Sequence, residues 1–532
     1  MGDRALLIDA GVWAPEALAR ALRAAATRTA ALVLEDVVAG AATVLAVASR
    51  PEGLAALGAV VEMLAGRAPD TESVSADGSA EVLELTVRYD GADLDEVARA
   101  TGLSTTEVAA THAGATYQAA FCGFAPGFAY LTGLPEALWL PRRESPRPSV
   151  PAGAVAIADR YSSVYPSCSP GGWHLLGSTD VPVWDLGRRP PALLAPGTQV
   201  RFVAAAPGAG RRRPGAERTA QHVATPDRPA RRGETAFEVI EPGLCTTVQD
   251  RGRPGLADQG VPPSGWLDGP SARLANRLVG NDDQSAVLEA TVRGPSLRLD
   301  GPPGTSRAIA VTGADVHLLI DGIPAATNAP VEVRAGAMVE VGWIQSGARS
   351  YLAVAGGIDV PPVLGSRSTD ALSGLGPAPL EAGRRVPLGV DRGLRSSLGL
   401  APVPARLSEP TLRVVPGPRA DWLVPEALSV LTAAAWTIGR DSNRVGLRLV
   451  GSLLERGCDG ELAPEGLVAG AVQVPSSGEP VLFLADHPVT GGYPVLAVVV
   501  SADLHLAAQL RPGSVLHFAL AGSAGRRRGS AR

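Results

Sequence analysis

The spacing of apolar positions divides the chain into segments of different period. Pro15–Ala25 and Pro51–Leu64 carry apolar residues at helical spacing. Val82–Tyr89 alternates instead. Leu83, Leu85, Val87 and Tyr89 fall on one face and Glu84, Thr86 and Arg88 on the other, which predicts a half-buried strand. Asp93–Thr101 and Ser104–Ala110 predict two short helices, the second capped by Ser104 with Glu107 three residues on. From Tyr117 to Phe202 the chain is strand-like and dense in turns. Residues 205–234 lose their apolar positions to Arg, Pro and Gly, which predicts a flexible tether. A second globular unit follows from about Phe237 to Leu520. In it Val316–Ile320 followed by Asp321-Gly322 reads as a hairpin, and Asp268 caps a helix through Ala272–Leu278. Ala401–Ser408 is the expected break between its two lobes, and the closing GSAGRRRGSAR reads as a disordered tail.

One phrase occurs twice in the same order. AGAVAI at 152–157 is followed by GGW at Gly171–Trp173, and AGAVQV at 469–474 by GGY at Gly491–Tyr493. Each copy ends on PGxx(V/L)xF, Pro196 to Phe202 and Pro512 to Phe518. Ordered repetition of this kind predicts related β-rich modules, and two such modules facing one another enclose a cleft.

Composition narrows the chemistry. A chain of 532 residues exceeds one core and predicts three or four domains. The 62 Gly and 46 Pro have no fixed period and suit tight turns between short strands. A net charge of −5 gives no reason to invoke nucleic acid or an anionic membrane. The start, MGDRALLIDAG, lacks the pattern of a signal peptide, and Val37–Ala48 is too short to span a bilayer, so a cytoplasmic location is expected. Cys122, Cys168, Cys245 and Cys458 form no CxxC pair or Cys/His cluster. Neither a disulfide framework nor a structural metal site is expected, and Cys122 reads as a small buried hydrophobe. All 48 basic residues are arginine. Without lysine the chain has no Schiff base, no P-loop amine and no point of biotin attachment, so anions fall to Arg and backbone N–H groups.

Several stretches carry candidate chemistry. In Gly123–Leu131 (GFAPGFAYL), Phe124 and Phe128 either wall an apolar pocket or pack a rigid turn on the core. In Trp139–Pro151, Arg142, Arg143 and Arg147 sit among prolines, as a surface loop or a preorganised anion clamp. His174 follows the Gly171-Gly172 turn and is either structural or catalytic. In the second unit, Thr247–Gly255 (TVQDRGRPG) gathers Gln249, Asp250, Arg251 and Arg253, while Asn276, Asn281 and Glu289 interrupt an apolar run. Gly365–Asp370 (GSRSTD) offers hydroxyls and Arg367 to an anion. Ser442–Leu449 holds Arg444, and Asp486 stands beside His487 in DHPVTGGY. No Walker A phrase or dinucleotide fingerprint is present.

These motifs also carry a family resemblance. GFAPGFAYL, PRPSVPAGAVAIA, SPGGW and LLGST resemble component B of 5-oxoprolinase, the kinase-inhibitor-like or allophanate hydrolase subunit 1 family. VQDRGRPG, GVPPSGWLD, LANRLVGN, YLAVAGGIDVP, LGSRSTD and DHPVTGGYPVLAVV resemble component C, the allophanate hydrolase subunit 2 or biotin-dependent carboxyltransferase family. The chain resembles a fusion of the two. The family's SxRMG phrase stands here as Ser442-Asn443-Arg444-Val445-Gly446. The resemblance implies a mainly β protein with an α/β lobe, built of tandem cyclophilin-like β-barrels. Its expected divisions are an α/β lobe 1–80, a barrel 81–204, a linker 205–235, two lobes 236–400 and 401–521, and a tail 522–532.

It further implies ATP-dependent hydrolysis of 5-oxo-L-proline to L-glutamate with Mg²⁺, alongside component A of 5-oxoprolinase as a separate chain. The oligomeric state is left open, a homo-oligomer included. On this reading Asp486 and His174 are the catalytic candidates. Phe124, Phe128, Arg142, Arg147, Gln249, Arg251, Arg367 and Arg444 are the substrate-binding ones. Two alternatives stand beside it: a carboxyltransferase component of a biotin-dependent urea or amide carboxylase, and a regulator that binds a histidine kinase.

Overall fold

The computed structural model describes residues 1–66, 82–206, 234–393, 399–402, 408–458, 460 and 462–522. The expected linker 205–235 and the tail 522–532 fall almost wholly outside these residues, as does the larger part of the lobe break at Ala401–Ser408.

The chain starts with a three-stranded antiparallel sheet, Thr43–Ala48 lying between Ala5–Asp9 and Leu34–Ala39. Two helices cover it, Pro15–Ala26 and Gly53–Ala65, both close to the predicted spans. Leu18, Leu22, Leu57 and Val60 are among the buried helix positions, as the 3.6-residue period requires. Three further expectations hold locally. Leu83–Val87 is a strand with Leu85 and Val87 buried and Glu84 and Thr86 exposed. Ser104 and Glu107 form a reciprocal capping box on the helix Thr105–Ala113. Asp321 and Gly322, both at positive φ, turn the long strand Ser306–Ile320 back into Ile323–Ala325.

The repeated phrases lie in barrels of one design. The first barrel contains the strands Leu83–Val87, Thr116–Cys122, Ala129–Thr132, Ala154–Ala158, Tyr161–Val164, His174–Ser178 and Gln199–Ala204. The other contains Thr411–Pro416, Trp436–Ile438, Gly446–Val450, Ala471–Gln473, Val481–Phe483, Val495–Val499 and Val515–Leu520. Counted along the chain, both sheets run in the spatial order sixth, fourth, fifth, third, second, seventh, first. In both, the last strand pairs in parallel with the first. The AGAV segment is the fourth strand of each, and the PGxx(V/L)xF ending becomes the seventh. Closure is continuous in the second barrel and made by an Arg88–Ser178 bridge in the first. Between them in the chain lies a nine-stranded sheet dominated by Ser306–Ile320 and Met338–Val354, with the helix Gly269–Leu278 against it. The architecture is mainly β with an α/β lobe, of the tandem cyclophilin-like type.

The alternation inside AGAVAI has a packing reason. Val155 and Ile157 face the barrel interior, whereas Ala154, Ala156 and Ala158 lie in the apolar cluster shared with the N-terminal lobe. The strand is buried on both faces, and only small side chains fit the outer one. Cys122 lies in the barrel interior as expected of a small hydrophobe, and burial raises its thiol pKa.

Equivalent glycines close the two seams. The N–H of Gly91 donates to the Leu176 carbonyl and that of Gly417 to the Leu496 carbonyl. A Cβ on Gly91 would lie 2.2 Å from the Leu175 oxygen, and one on Gly417 2.1 Å from the Val495 oxygen. Gly91→Ala and Gly417→Ala are each expected to destabilise their own barrel by about 1–3 kcal/mol. Gly58→Ala, in a helix with open space around it, should stabilise by about 0.5–1 kcal/mol. Urea titrations followed by amide exchange in each barrel will report these shifts. Equal effects from all three would contradict the seam.

Candidate functional site

The two halves of the chain meet through their motif turns. GFAPGFAYL turns between the second and third strands of the first barrel, with Phe124 and Gly127 at positive φ. Gly127 donates its N–H to the Gln259 carbonyl at 2.9 Å. A Cβ on Gly260 would lie 2.4 Å from the Ala125 oxygen, and one on Gly123 1.9 Å from Oγ1 of Thr490. The GFAPGF turn, the short helical turn Ala257–Gln259 and the TGGY turn therefore interlock at backbone distance, which only glycine permits. Beside them Trp184 packs on Val261, Val363 and Leu375, joining the first barrel to the GSRSTD loop.

On the first-half side, Phe128 is fully buried. It sits edge-on to Tyr130, Tyr165 and Trp173 with ring centroids 5.4, 5.1 and 5.4 Å away. Phe124 is 40% exposed and lies edge-on to Phe128 at 5.2 Å. Phe128 thus belongs to the core, and Phe124 lies over it with part of its ring open to solvent. Burial pushes the hydroxyls of Tyr130 and Tyr165 up to about 12, partly offset at Tyr130 by Arg142 and at Tyr165 by the Trp173 backbone, then Arg142 and Arg147.

Arg142 is exposed and 3.8 Å from Asp159. Arg143 and Arg147 converge on Oδ1 of the buried Asp93, whose other oxygen accepts the Leu175 N–H at 2.8 Å. Asp93 precedes the helix Leu94–Thr101 and fixes the clamp in place, a role invisible in sequence because its partners lie 50 and 54 residues on. His174 is buried, with Nε2 2.9 Å from the Pro141 carbonyl. A carbonyl only accepts, so Nε2 carries the hydrogen and Nδ1 keeps its lone pair. Nδ1 of His174 and Nη1 of Arg147 have no hydrogen-bond partner among the described residues.

On the second-half side, Arg444 is the centre. Its Nε donates to Asp486 Oδ2 at 2.9 Å and Nη2 to Oδ1 at 3.0 Å, Nη1 donates to Glu289, and Nη2 also reaches the Gly265 carbonyl. Asp486 further accepts from the Ser264 hydroxyl at 2.7 Å and the Ala371 N–H at 2.9 Å. Glu289 accepts from Tyr351 at 2.8 Å and from the Leu267 N–H at 3.0 Å. All three nitrogens of Arg444 and both oxygens of Asp486 are occupied by the protein. In this arrangement the pair positions neighbouring elements; neither is an open ligand or a free base.

Gln249 donates to Thr247 Oγ1 and the Thr369 carbonyl, and Ser264 shares that carbonyl. Asp250 collects Ser368 Oγ at 2.7 Å, Arg367 N–H at 2.6 Å, Gly252 N–H at 2.8 Å and the Ser366 hydroxyl, so it shapes the GSRSTD loop. The Arg367 side chain turns outward to Val360 O and Asp359. Arg251 is exposed with no ion pair among the described residues. Burial and the neighbouring Asp486 raise Asp370 to about 6.

The structure thus gathers Phe124, Phe128, Arg142, Arg147 and His174 in one place and links Gln249, Arg444 and Asp486 in another. The two groups connect where Gly123 meets Thr490, four residues past Asp486. Asp93, Ser264, Tyr351 and Asp370 were not among the candidates drawn from sequence. Ser264, Tyr351 and Asp370 lay inside the motifs GVPPSGWLD, YLAVAGGIDVP and LGSRSTD, whereas Asp93 only opened a predicted helix.

Two measurements test this architecture. Gly123→Ala should cost about 1–3 kcal/mol. Thr490→Ala in the same chain should recover most of it, with a coupling above about 0.5 kcal/mol in a denaturation cycle. Additive effects would mean the turns do not touch. Glu289→Gln, which leaves Arg444 under-neutralised, should destabilise by about 3–5 kcal/mol. Removing the exposed Arg298–Glu238 pair should change stability by less than about 1 kcal/mol.

Comparison with known proteins agrees with this geometry. Residues 1–194 match the family described as carboxyltransferase domain, subdomain C and D, and residues 259–520 match carboxyltransferase domain, subdomain A and B. The chain is 38% identical to component C of the Escherichia coli (strain K12) 5-oxoprolinase over 285 residues, covering 53% of this chain and 90% of that protein. It is 45% identical to component B of the Escherichia coli O157:H7 5-oxoprolinase over 135 residues, 25% of this chain and 62% of that protein. The crystal structure of TTHA0988 superposes with a TM-score of 0.83 at 36% identity, covering 97% of this chain and 99% of that one. The chain belongs to the carboxyltransferase-domain family that includes the B and C components of 5-oxoprolinase, with the two types fused in one polypeptide.

Proposed function

We propose that this chain is the joined B and C components of an ATP-dependent 5-oxoprolinase, acting with a separate component A to open 5-oxo-L-proline to L-glutamate. The observation that carries the reading is the interlock of Gly123 with Thr490. It sets the GFAPGF turn of the B-like half directly against the TGGY turn of the C-like half, beside a cluster of aromatic rings that Arg142 and Arg147 adjoin.

The lactam is resonance-stabilised, and its carbonyl carbon becomes open to water once the carbonyl oxygen is phosphorylated. ATP supplies that phosphoryl group. The protein's share is positioning and charge stabilisation. Arg142, exposed beside the aromatic wall, pairs the substrate carboxylate. Phe124 covers the ring's apolar edge. His174, bonded through Nε2 to the Pro141 carbonyl, holds the arginine-bearing loop in place beside that wall. Arg147, held by Asp93, lends positive charge near the developing oxyanion. Gln249, Arg367, Arg444 and Asp486 set the shape of the opposing loops, and Arg251 reaches solvent at their edge. Among the described residues no group of three His, Cys, Asp or Glu side chains fits a metal ion, so no step is assigned to a protein-bound Mg²⁺. No helix of the described residues is long and apolar enough to cross a membrane.

The purified chain mixed with component A, ATP, Mg²⁺ and 5-oxoproline should release glutamate, with nothing released when either protein is omitted. Arg142→Ala should lower kcat/KM by about 10- to 100-fold, the loss of one charged hydrogen bond, chiefly through KM. Glutamate release unchanged in both Arg142→Ala and Phe124→Ala would remove the aromatic cluster from the mechanism. Turnover that appears only with a biotinylated carrier protein would favour the carboxyltransferase reading instead.

A further inference from the structure

A cavity lies where the sheet of the N-terminal lobe packs on the last barrel, away from the aromatic cluster. It holds about 60 Å³ and opens to solvent on one side. Val38, Leu45 and Val47 form one wall, and Leu467 and Val489 form the other. At about 10–15 Å³ for each water-sized group, this is room for a chain of about four heavy atoms.

Four polar side chains line this otherwise apolar space: Arg4 and Glu35, which pair with each other at 2.9 Å, and Asp36 and His487, which both offer acceptors. His487 is 3% exposed, and its Nδ1 lies 2.8 Å from the Pro488 carbonyl. Nδ1 must therefore carry the hydrogen, so Nε2 holds a lone pair, and Nε2 has no partner among the described residues. Burial lowers the ring's pKa and keeps it neutral. Asp36 accepts the Ala257 N–H at 3.1 Å. No cation pairs with it among the described residues: Arg4 is bonded to Glu35 at 2.9 Å and Arg23 to Asp258 at 3.0 Å. An apolar space that also presents an unpaired carboxyl and an imidazole lone pair, its one guanidinium already paired with Glu35, recognises a donor that carries positive charge and a short aliphatic body.

We propose that this inter-half cavity is a binding site for a short primary alkylammonium ion, its N–H groups shared between Asp36 and His487 and its carbons on the valine and leucine walls. The titration of Asp36 agrees with this. Burial and the nearby Glu35 and Asp258 raise its pKa to about 6, against the opposing bonds from the Gly255 and Ala257 N–H groups. A bound ammonium favours the ionised form, so binding displaces a proton and strengthens as pH rises through about 6. The other charged groups at the site, Arg4, Glu35, Arg23 and Asp258, are already matched in ion pairs.

The test is a calorimetric titration of the full chain with propylammonium chloride, and with propanol as the uncharged match. Propylammonium should bind with a Kd of about 1 mM, about tenfold more weakly at pH 5 than at pH 7.5, and should release protons near pH 6. Propanol should give no saturable heat. Asp36→Asn should abolish binding and melt no lower than the parent at pH 7.5, since it removes a carboxylate that is costly to ionise. Ala469→Leu, which fills the cavity, should abolish binding independently. A cavity that holds only water gives no saturable heat with either probe, and that overturns the assignment. So does propylammonium binding that survives Asp36→Asn, or propanol binding as tightly.

Discussion

The buried guanidinium of Arg444 is the interaction on which the second half depends. It comes from the last barrel, yet it reaches Glu289 on a strand of the central sheet and the Gly265 carbonyl in the preceding loop. Side-chain exposure is 7% for Arg444, 1% for Glu289 and 0% for Asp486. Three charges so far from water are tolerable only as a matched set with their remaining lone pairs filled. The filling groups are Tyr351, Ser264 and the N–H groups of Leu267 and Ala371. Tyr351, Ser264 and Leu267 belong to motifs that the sequence marks as distinctive, and Ala371 directly follows another, LGSRSTD. The electrostatic requirement at one arginine therefore fixes the relative position of the GWLD, YLAVAGG, SRSTDA and DHPVTGG segments. Coulomb energy is secondary to this geometric effect, because an apolar replacement of the same volume gives a comparably stable protein without specifying which loops meet.

The first half uses the same device on a smaller scale. Asp93 receives Arg143, Arg147 and the Leu175 N–H, so a buried carboxylate organises two arginines on a proline-rich loop. Here the arginines keep a quarter of their side-chain surface open. The difference decides function: Arg444 is enclosed and positions loops, whereas the Arg142–Arg147 stretch stays at the surface and has charge to offer a ligand. A chain without lysine does both jobs with one residue type, and burial alone separates them.

Much of the fold was legible because it is written in local period. The two N-terminal helices, the alternating strand Leu83–Val87, the Ser104 capping box and the Asp321-Gly322 turn each need only a few neighbouring residues to specify. The AGAV and GG-aromatic repeats were legible as well, and identical strand order in both barrels confirms their common design. The central sheet was less so. Its strands Ser306–Ile320 and Met338–Val354 bend through register shifts that a period-two template breaks on. The site was legible as a set of motifs but not as a set of roles. Nothing local distinguishes Arg444, with its nitrogens enclosed, from Arg142, because the difference lies in partners 42 to 179 residues away. His174 shows the same limit in reverse, since its free nitrogen is defined by a carbonyl 33 residues earlier.

Fusion has a physical consequence for the junction. Two separate polypeptides must offset the loss of translational and rotational freedom with interface area before they hold a shared pocket. Tethering replaces that cost with an effective concentration set by the reach of the connecting segment. The junction can then be made of glycine turns, small aliphatic side chains and ion pairs such as Arg23–Asp258 at 3.0 Å, without a large aromatic interface. Glycine contacts are geometrically exacting but individually weak, since they bury little apolar surface. They suit a joint in which attachment is covalent and only alignment remains to be specified. The same economy leaves a gap lined by Asp36 and His487, where the N-terminal sheet and the last barrel meet without filling the space between them.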